Sequence, residues 1–354
     1  MAGSSAKPEL GGPINIRAVA RRAGVSTATV SRTFNKNPTV NPRLAKKVWD
    51  AIHLLGYLPN NQAQALVSGR SRILGLIVSD ITNPFFPELI QGFEDMAVES
   101  GYEILVSSTN YDEIRMELCI LRMMQRKVEG VAVMTFGIDQ PSLQKLYDCN
   151  VPLAFVDAGP ERTNTTVVSI DYHHGIRQGV QHLAALGHRK IGFVTGPLSL
   201  ISAQVRVLAF KNAIAECGIE LREQWLVQGD HSCAGGMRAM SQILVLSQRP
   251  TALMCSNDLT AIGVLHEANH IGIRIPDEMS VIGFDDIQPA QMMIPPLTSI
   301  QMSRTALARA AVFGLRDSVE GRQRRRERKI ETLLVVRKST GFPPGTLKSL
   351  RPAR

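Results

Sequence analysis

Apolar residues recur at helical spacing over the first sixty positions, and from Ile73 onward they gather into short unbroken runs. The first pattern predicts a helix over Ile16–Ala23, capped by Asn15 and broken by Gly24. Ser26 caps a second helix over Thr27–Phe34, with Val30 facing inward. Asn41 followed by Pro42 opens a third helix to about Leu55, with Leu44, Val48, Ile52 and Leu55 on one face and Gly56 at its end. The punctuated stretch Tyr57-Leu58-Pro59-Asn60-Asn61 leads into Gln62–Ser68, one short helix that is marginal in isolation and is expected to order only when supported.

The second pattern predicts strands at Ile73–Ser79, Glu103–Ser107, Gly130–Thr135, Leu153–Asp157, Val167–Ile170, Lys190–Thr195, Ala252–Ser256, Ser280–Phe284 and Leu333–Val336. None alternates strictly, as expected of parallel strands covered on both faces. Helical stretches lie between them at Phe86–Ser100, Arg115–Arg126, His174–Leu186, Ala203–Cys217 and Leu259–His270. The fold class read from this is an all-α head joined to an α/β body of two doubly wound parallel sheets, since so many strands exceed one compact sheet. Ligands in such sheets bind at the carboxyl ends of the strands, so a cleft between two lobes is the place to look.

Composition narrows the class. At 354 residues, 44% hydrophobic and 20% charged, the chain is expected to form two or three globular modules rather than a disordered polymer. No apolar run approaches the roughly 18 residues of a membrane span. The first 13 residues are rich in Gly, Pro and Ser, read as a mobile arm, and lack the apolar core of a secretory signal. Five scattered cysteines read as reduced thiols of a cytoplasmic protein. The net charge of +9 is uneven: residues 1–72 carry 11 basic and 2 acidic side chains, residues 73–315 carry 17 and 25, and residues 316–354 carry 12 and 4. A basic head on an acidic body is the footprint of a nucleic-acid-binding module.

The segment Ala18–Arg32 reads as helix, glycine turn, helix, with Ala20 small at the crossing and Val25 and Val30 plugging the core. Its second helix would expose Thr27, Ala28, Ser31 and Arg32. Arg32 can fork onto guanine, and Thr27 and Ala28 are short enough to touch a thymine methyl. Thr29, Ser31 and Asn35 can bond phosphates. The plain alternative, a helical hairpin that binds nothing, is disfavoured by the basic head.

Gly24-Val25-Ser26-x-x-Thr29-Val30-Ser31-Arg32, Asn35 and Tyr57-x-Pro59-Asn60 resemble the DNA-binding head of the LacI/GalR family of bacterial repressors. The likeness continues in order through Ser79–Phe86, Leu186–Ile191, Ser256-Asn257-Asp258, Ser280–Asp286 and Pro296–Ile300. It implies a helix-turn-helix domain over 14–58, a hinge helix over 59–71 and a periplasmic-binding-protein-like body over 72–341, with a basic tail beyond. The first lobe would hold about 72–171 and 304–328, the second about 172–303 and 329–341. The resemblance also implies a homodimer on a palindromic operator, with Leu66 as a minor-groove wedge, and a small-molecule effector, a carbohydrate by preference, in the cleft. By family position the effector residues would be Ser79, Asp80, Asn83, Phe85 and Asp157 from one lobe and Arg206, His231, Asn257 and Asp285 from the other. Carboxylates, amides and aromatic rings suit a polyol. His231 and Arg304 stand where one family member has aromatic residues. A purine, a sugar phosphate or a phosphoprotein co-repressor is the alternative. Asp258 and Asp286 have a plainer reading as helix caps.

No cofactor, metal or catalytic role is expected. His266-Glu267-Ala268-Asn269-His270 matches a zinc-hydrolase pattern, but no third ligand follows at the usual spacing, and the segment falls on an ordinary amphipathic helix. His173-His174 reads as a helix start. The basic run Arg322–Lys329 reads as a solvated crossing segment, and the resemblance implies a dimer rather than a tetramer, since the tail lacks the leucine heptad through which tetrameric family members assemble.

Overall fold

The computed structural model describes residues 14–34, 37–58, 69–135, 140–157, 164–322 and 328–345. The expected arm, hinge helix, basic tail, Asn35 and Leu66 lie outside the described residues. The chain divides into two compact units at Ser71/Arg72.

The first unit holds α1 (Ile16–Ala23), α2 (Thr27–Phe34) and α3 (Pro42–Leu55). Asn15 Oδ1 accepts from the amides of Arg17 and Ala18, and Gly24 ends the helix at φ 67°, a conformation only glycine adopts without strain. Ser26 Oγ accepts from Thr29 N at 3.2 Å and opens α2. Asn41 and Pro42 open α3, and Gly56 closes it at φ 61°. Val19, Ala20, Ala23, Val30, Val48, Ala51 and Ile52 form the core, with Val25, Phe34 and Trp49 packed around it. Leu44, expected on the buried face, is 38% exposed in the first turn of α3.

The second unit contains two six-stranded sheets. The first has the order β11-β5-β4-β3-β1-β2 and is parallel throughout. Its strands are β1 (Ile73–Val78), β2 (Glu103–Ser108), β3 (Gly130–Met134), β4 (Leu153–Val156), β5 (Thr165–Ile170) and β11 (Arg328–Ile330). Helices α4 (Phe85–Glu99), α5 (Glu113–Gln125) and α6 (Gln140–Asp148) connect them. The second sheet has the order β12-β10-β9-β8-β6-β7 and is parallel except for β12. It comprises β6 (Ile191–Thr195), β7 (Leu226–Gln228), β8 (Ala252–Cys255), β9 (Ser280–Asp285), β10 (Thr298–Met302) and β12 (Thr332–Val335). With it come α7 (Tyr172–Ala185), α8 (Ile201–Glu216), α9 (Cys233–Leu244), α10 (Asp258–His270) and the short α11 (Gln288–Met292).

The chain crosses between the sheets after β5, after β10 and between β11 and β12. Helix α12 (Arg304–Val319) follows β10 of the second sheet but packs on α4 and on β3, β4 and β5 of the first. Lys329 and Ile330, assigned by sequence to the second lobe, pair with Ser169 and Ile170 in the first sheet. Three strands escaped the sequence reading. β7 and β11 have three residues each, too few for a pattern, and β10 is a mixed polar and apolar segment, TSIQM.

His188 joins the last described segment to the second sheet. Its Nδ1 lies 2.8 Å from Thr251 Oγ1, and its Nε2 lies 2.9 Å from Gly341 O and 3.1 Å from Ser280 Oγ. Bonding to a carbonyl makes Nε2 the donor, and in the neutral ring Nδ1 is then the acceptor. Burial pushes its pKa below the ordinary 6.5. The unfolded chain therefore binds the proton first, and His188 withdraws stability as pH falls below about 6.5. Urea titrations between pH 7.5 and 5 should show that slope reduced in His188→Gln. An unchanged slope would disprove the assignment.

Candidate functional site

Helix α2 presents Thr27, Ala28, Ser31 and Arg32 to solvent, while Val30 and Thr33 point into the core. Thr33 Oγ1 donates to Thr29 O at 2.8 Å and Thr29 Oγ1 lies 3.0 Å from Ser26 Oγ, so the buried face of the helix is satisfied locally. Thr29 is half-buried. The exposed face is short, uncharged except for Arg32, and accompanied by exposed Arg17, Arg21, Arg22, Arg43, Lys46 and Lys47 on the neighbouring helices. Such a face can enter a groove while cations at its margins meet phosphate.

In the second unit each sheet reverses its strand order beside its first strand, between β1 and β3 and between β6 and β8. The residues that end these strands gather at two switch points. Ser79 follows β1 and donates to Thr135 Oγ1 at 2.8 Å. Gly196 follows β6, and Ser256 follows β8.

Arg206, on α8, is buried beneath the second switch point and donates from Nη1 to Ser256 O at 2.6 Å. Its guanidinium lies 4.8 Å from the Tyr172 ring centroid and 4.5 Å from that of Phe284. Its Nε is buried without a hydrogen-bond partner among the described residues. The Tyr172 hydroxyl donates to Asp157 Oδ2 at 2.5 Å, and Ile170 N donates to Asp157 Oδ1 at 3.0 Å. Burial raises the Asp157 pKa, while the tyrosine, the amide and Arg206 oppose the rise. Asp285 ends β9 with its carboxyl buried, which pushes its pKa up to about 6 against the pull of Arg206 and Arg304. His231 places Nε2 2.7 Å from Ser256 Oγ, and burial, with the Arg206 charge adding, drives its pKa down to about 3. The ring is therefore neutral, both a donor and an acceptor. It lies against Gly196, where any Cβ would stand 2.7 Å from its Cδ2.

Asp157, His231, Asp285 and Asp286 all have positive φ, between 53° and 108°. Backbone strain of this kind persists only where the surroundings over-determine it, and it concentrates at functional sites.

The structure thus brings Asp157, Arg206, His231 and Asp285 together. Asn257 touches the same group but is largely committed: its Nδ2 donates to His231 O at 3.0 Å and its Oδ1 accepts from Thr260 N at 2.9 Å. It is the cap of α10, a role the sequence reading offered to Asp258. Asp258 is instead a buried brace, accepting from Ser299 Oγ at 2.5 Å and Ile287 N at 2.8 Å. Asp286 is no cap either, because Arg337 Nη2 donates to it at 2.6 Å and Gln301 Nε2 at 3.0 Å.

In the first lobe Asp80 Oδ1 is occupied by Thr82 N and Thr82 Oγ1, and Asn83 Oδ1 accepts from Phe85 N at 3.0 Å. Both turns serve the entry to α4. Phe85 stacks edge-on against Phe86 and lies 5.9 Å from the Arg304 guanidinium. Sequence reasoning missed Tyr172, Phe284 and Tyr111. Tyr111 is under the charges of both Asp80 and Asp285, which join burial in raising its pKa. An aromatic residue just beyond a strand end was the available signal for Tyr172 and Tyr111. In the zinc-like pattern, Glu267 accepts from Ser241 Oγ at 3.0 Å.

The sequence profile of bacterial regulatory proteins of the lacI family matches residues 15–60, and that of a periplasmic binding protein-like domain matches residues 180–340. The chain is 33% identical over 326 residues to the HTH-type transcriptional repressor PurR of Photobacterium profundum, covering 92% of this chain and 98% of that protein. The lac repressor dimer bound to operator and the anti-inducer ONPF matches with a TM-score of 0.81 at 28% identity, over 93% of this chain and 100% of that one. The transcriptional regulator CelR in complex with cellobiose matches with a TM-score of 0.71 at 28% identity, over 92% and 99%. Likeness that runs through head and body alike, over nearly the full length of both chains, means that the chain belongs to the lacI family of bacterial regulatory proteins and is a DNA-binding transcriptional repressor.

Proposed function

We propose that this repressor acts in the cytoplasm as a dimer on a palindromic operator and is controlled by a small uncharged polyol, a carbohydrate, held between the two lobes. The observation that carries the effector reading is Arg206, a buried cation whose Nε has no partner among the described residues. An unsatisfied buried donor is costly unless a ligand completes it. Asp285 supports the same reading, because its buried carboxylate accepts no hydrogen bond among the described residues. A pair of vicinal hydroxyls can donate to one group and accept from the other. Ser79, Asp80, Asn83, Phe85, Asp157, His231 and Asn257 complete the proposed wall. Asp80, Asp157 and Asp285 outnumber the two nearby cations, Arg206 and Arg304, and Arg304 is also paired with Glu88 at 2.6 Å. That balance favours a neutral ligand over a sugar phosphate. The CelR neighbour bound to cellobiose supports the carbohydrate class.

The test is a thermal-shift screen against neutral sugars, sugar acids, sugar phosphates and purine bases. A ligand at a hundredfold excess over its Kd adds about 2.7 kcal/mol to stability. A neutral sugar should give the shift, and Asp285→Asn should abolish it. A shift with a purine base would overturn the carbohydrate reading, and a shift with an anionic sugar would overturn the neutral charge assigned to the ligand.

On DNA, Thr27, Ala28 and Arg32 are proposed to read bases, Thr29, Ser31 and Asn35 to hold phosphates, and the paired Leu66 side chains to wedge the minor groove. Arg32→Ala should relax preference at one base pair by about 1–3 kcal/mol, whereas Ser31→Ala should weaken all sequences alike. Selection of binding sites from random DNA at fixed salt measures both. Equal site preferences for Arg32→Ala and the parent would overturn the docking.

A further inference from the structure

Arg304 opens α12, immediately after the chain leaves β10 and crosses to the first sheet. Its guanidinium is nearly buried and its donors are distributed in three directions. Nε meets Glu88 Oε2 at 2.6 Å, on α4 of the first lobe. Nη1 donates to Asp285 O at 2.5 Å and Nη2 to Asp286 O at 2.9 Å, at the end of β9 in the second. Those two acceptors belong to successive residues at φ 108° and 53°, neither of them glycine. A strained pair of this kind reverts unless its backbone groups are held. Here the carbonyls are held by Arg304, the Asp286 amide by Ser299 Oγ at 3.1 Å, and the Ile287 amide by Asp258 at 2.8 Å. The direction of the Asp285 carboxyl, which accepts no bond among the described residues, is set by this scaffold.

We propose that Arg304 is a positioning residue: it fixes Asp285 in the cleft and fastens that strand end to the first lobe through Glu88. Its importance for the effector rests on the reading of the cleft given above, whereas the clamp itself is a property of the ligand-free chain. The planar fork spreads its donors over three nitrogens and so reaches acceptors on two lobes, whereas an ammonium gathers its donors on one nitrogen and cannot span them in the same way.

Hydrogen exchange of the full chain without ligand tests this. In Arg304→Met, the amides of Asp286 and Ile287 and those of Phe85 and Phe86 at the start of α4 should exchange at least tenfold faster. The amides of β6 and β8 should be unchanged. Arg304→Lys keeps a charge for Glu88 and should restore protection at Phe85 and Phe86 but not at Asp286 and Ile287. Changes below twofold at both stretches in Arg304→Met would overturn the proposal. So would faster exchange spread through the whole lobe, or equal rescue of both stretches by lysine. Because no ligand is present, loss of the clamp and loss of the carbohydrate reading are separate results.

Discussion

Gly236→Ala is expected to destabilise the second lobe by about 3 kcal/mol or more, in the range of severe overpacking. Gly236 lies on α9 and Gly263 on α10, and the two helices touch at these glycines. A Cβ on Gly236 would press into the carbonyl oxygen of Thr260, 2.9 Å from its carbonyl carbon and 3.1 Å from the Cα of Gly263. A Cβ on Gly263 would likewise stand 2.8 Å from the carbonyl carbon of Cys233. All these obstacles are backbone, so no rotamer change relieves them and the helices must separate. Better helix propensity opposes the loss by only about 1 kcal/mol, so overpacking sets the sign. Separation would also move Asn257, the cap of α10, away from His231 O, so the cleft should suffer with the fold. Urea unfolding should show a lower midpoint at unchanged slope. Gly218→Ala is the control. There a Cβ would meet nothing within 4 Å, and only the left-handed backbone at φ 63° opposes it. A loss below about 1 kcal/mol for Gly236→Ala would mean that the helices are not in this contact.

Arg206→Met should act on the ligand more than on the fold: an effector response that is gone, and a ligand-free protein less stable than the parent at neutral pH, where Asp285 loses its counter-charge. Methionine fills the slot between the Tyr172 and Phe284 rings with an apolar, polarisable chain. It removes a buried cation whose Nε is unpartnered among the described residues, but it also leaves the Asp157 and Asp285 carboxyls without that charge, and stranding one side of a buried charge set is destabilising. Truncating one member of a buried, hydrogen-bonded charge contact to a ligand weakens binding by about 2–5 kcal/mol, at least thirtyfold.

A second readout is independent of ligand. Arg206 is the strongest influence holding the Asp285 pKa down, so the variant's Asp285 should titrate above the parent's value of about 6. The folded state then takes up its proton before the unfolded state, and stability rises as pH falls through that window, further toward neutral pH than in the parent. Melting curves from pH 8 to 5, with Asp285→Asn as reference, measure this. A variant that kept the parent's ligand shift would remove Arg206 from the site.

The three head helices were legible because their signals are local. Asn15, Ser26 and Asn41 cap within three residues, and Gly24 and Gly56 end helices by their own φ. The parallel sheets were legible because strands covered on both faces must be apolar throughout. Helix α9 was not read as a helix, since CAGGMRAMSQIL carries two adjacent glycines that look like a break. Their reason lies on α10, out of sight in a linear reading. The cleft residues came from a family resemblance, and chemistry alone did not separate Asn257, which mostly caps a helix, from Arg206, which keeps an unpartnered donor.

Local pattern was enough to establish the class of this protein: a basic helix-turn-helix head, an α/β body, and the residues α2 exposes. Those depend on periodicity, capping and charge, which act over a few residues. Long-range packing settled which polar groups remain unsatisfied. Asp258, Asp285 and Asp286 are near neighbours in sequence or fold with the same carboxyl, yet one braces a turn, one accepts no hydrogen bond among the described residues and one is paired with Arg337. Burial and the distance to a few long side chains from remote segments make that difference, and no local pattern encodes either.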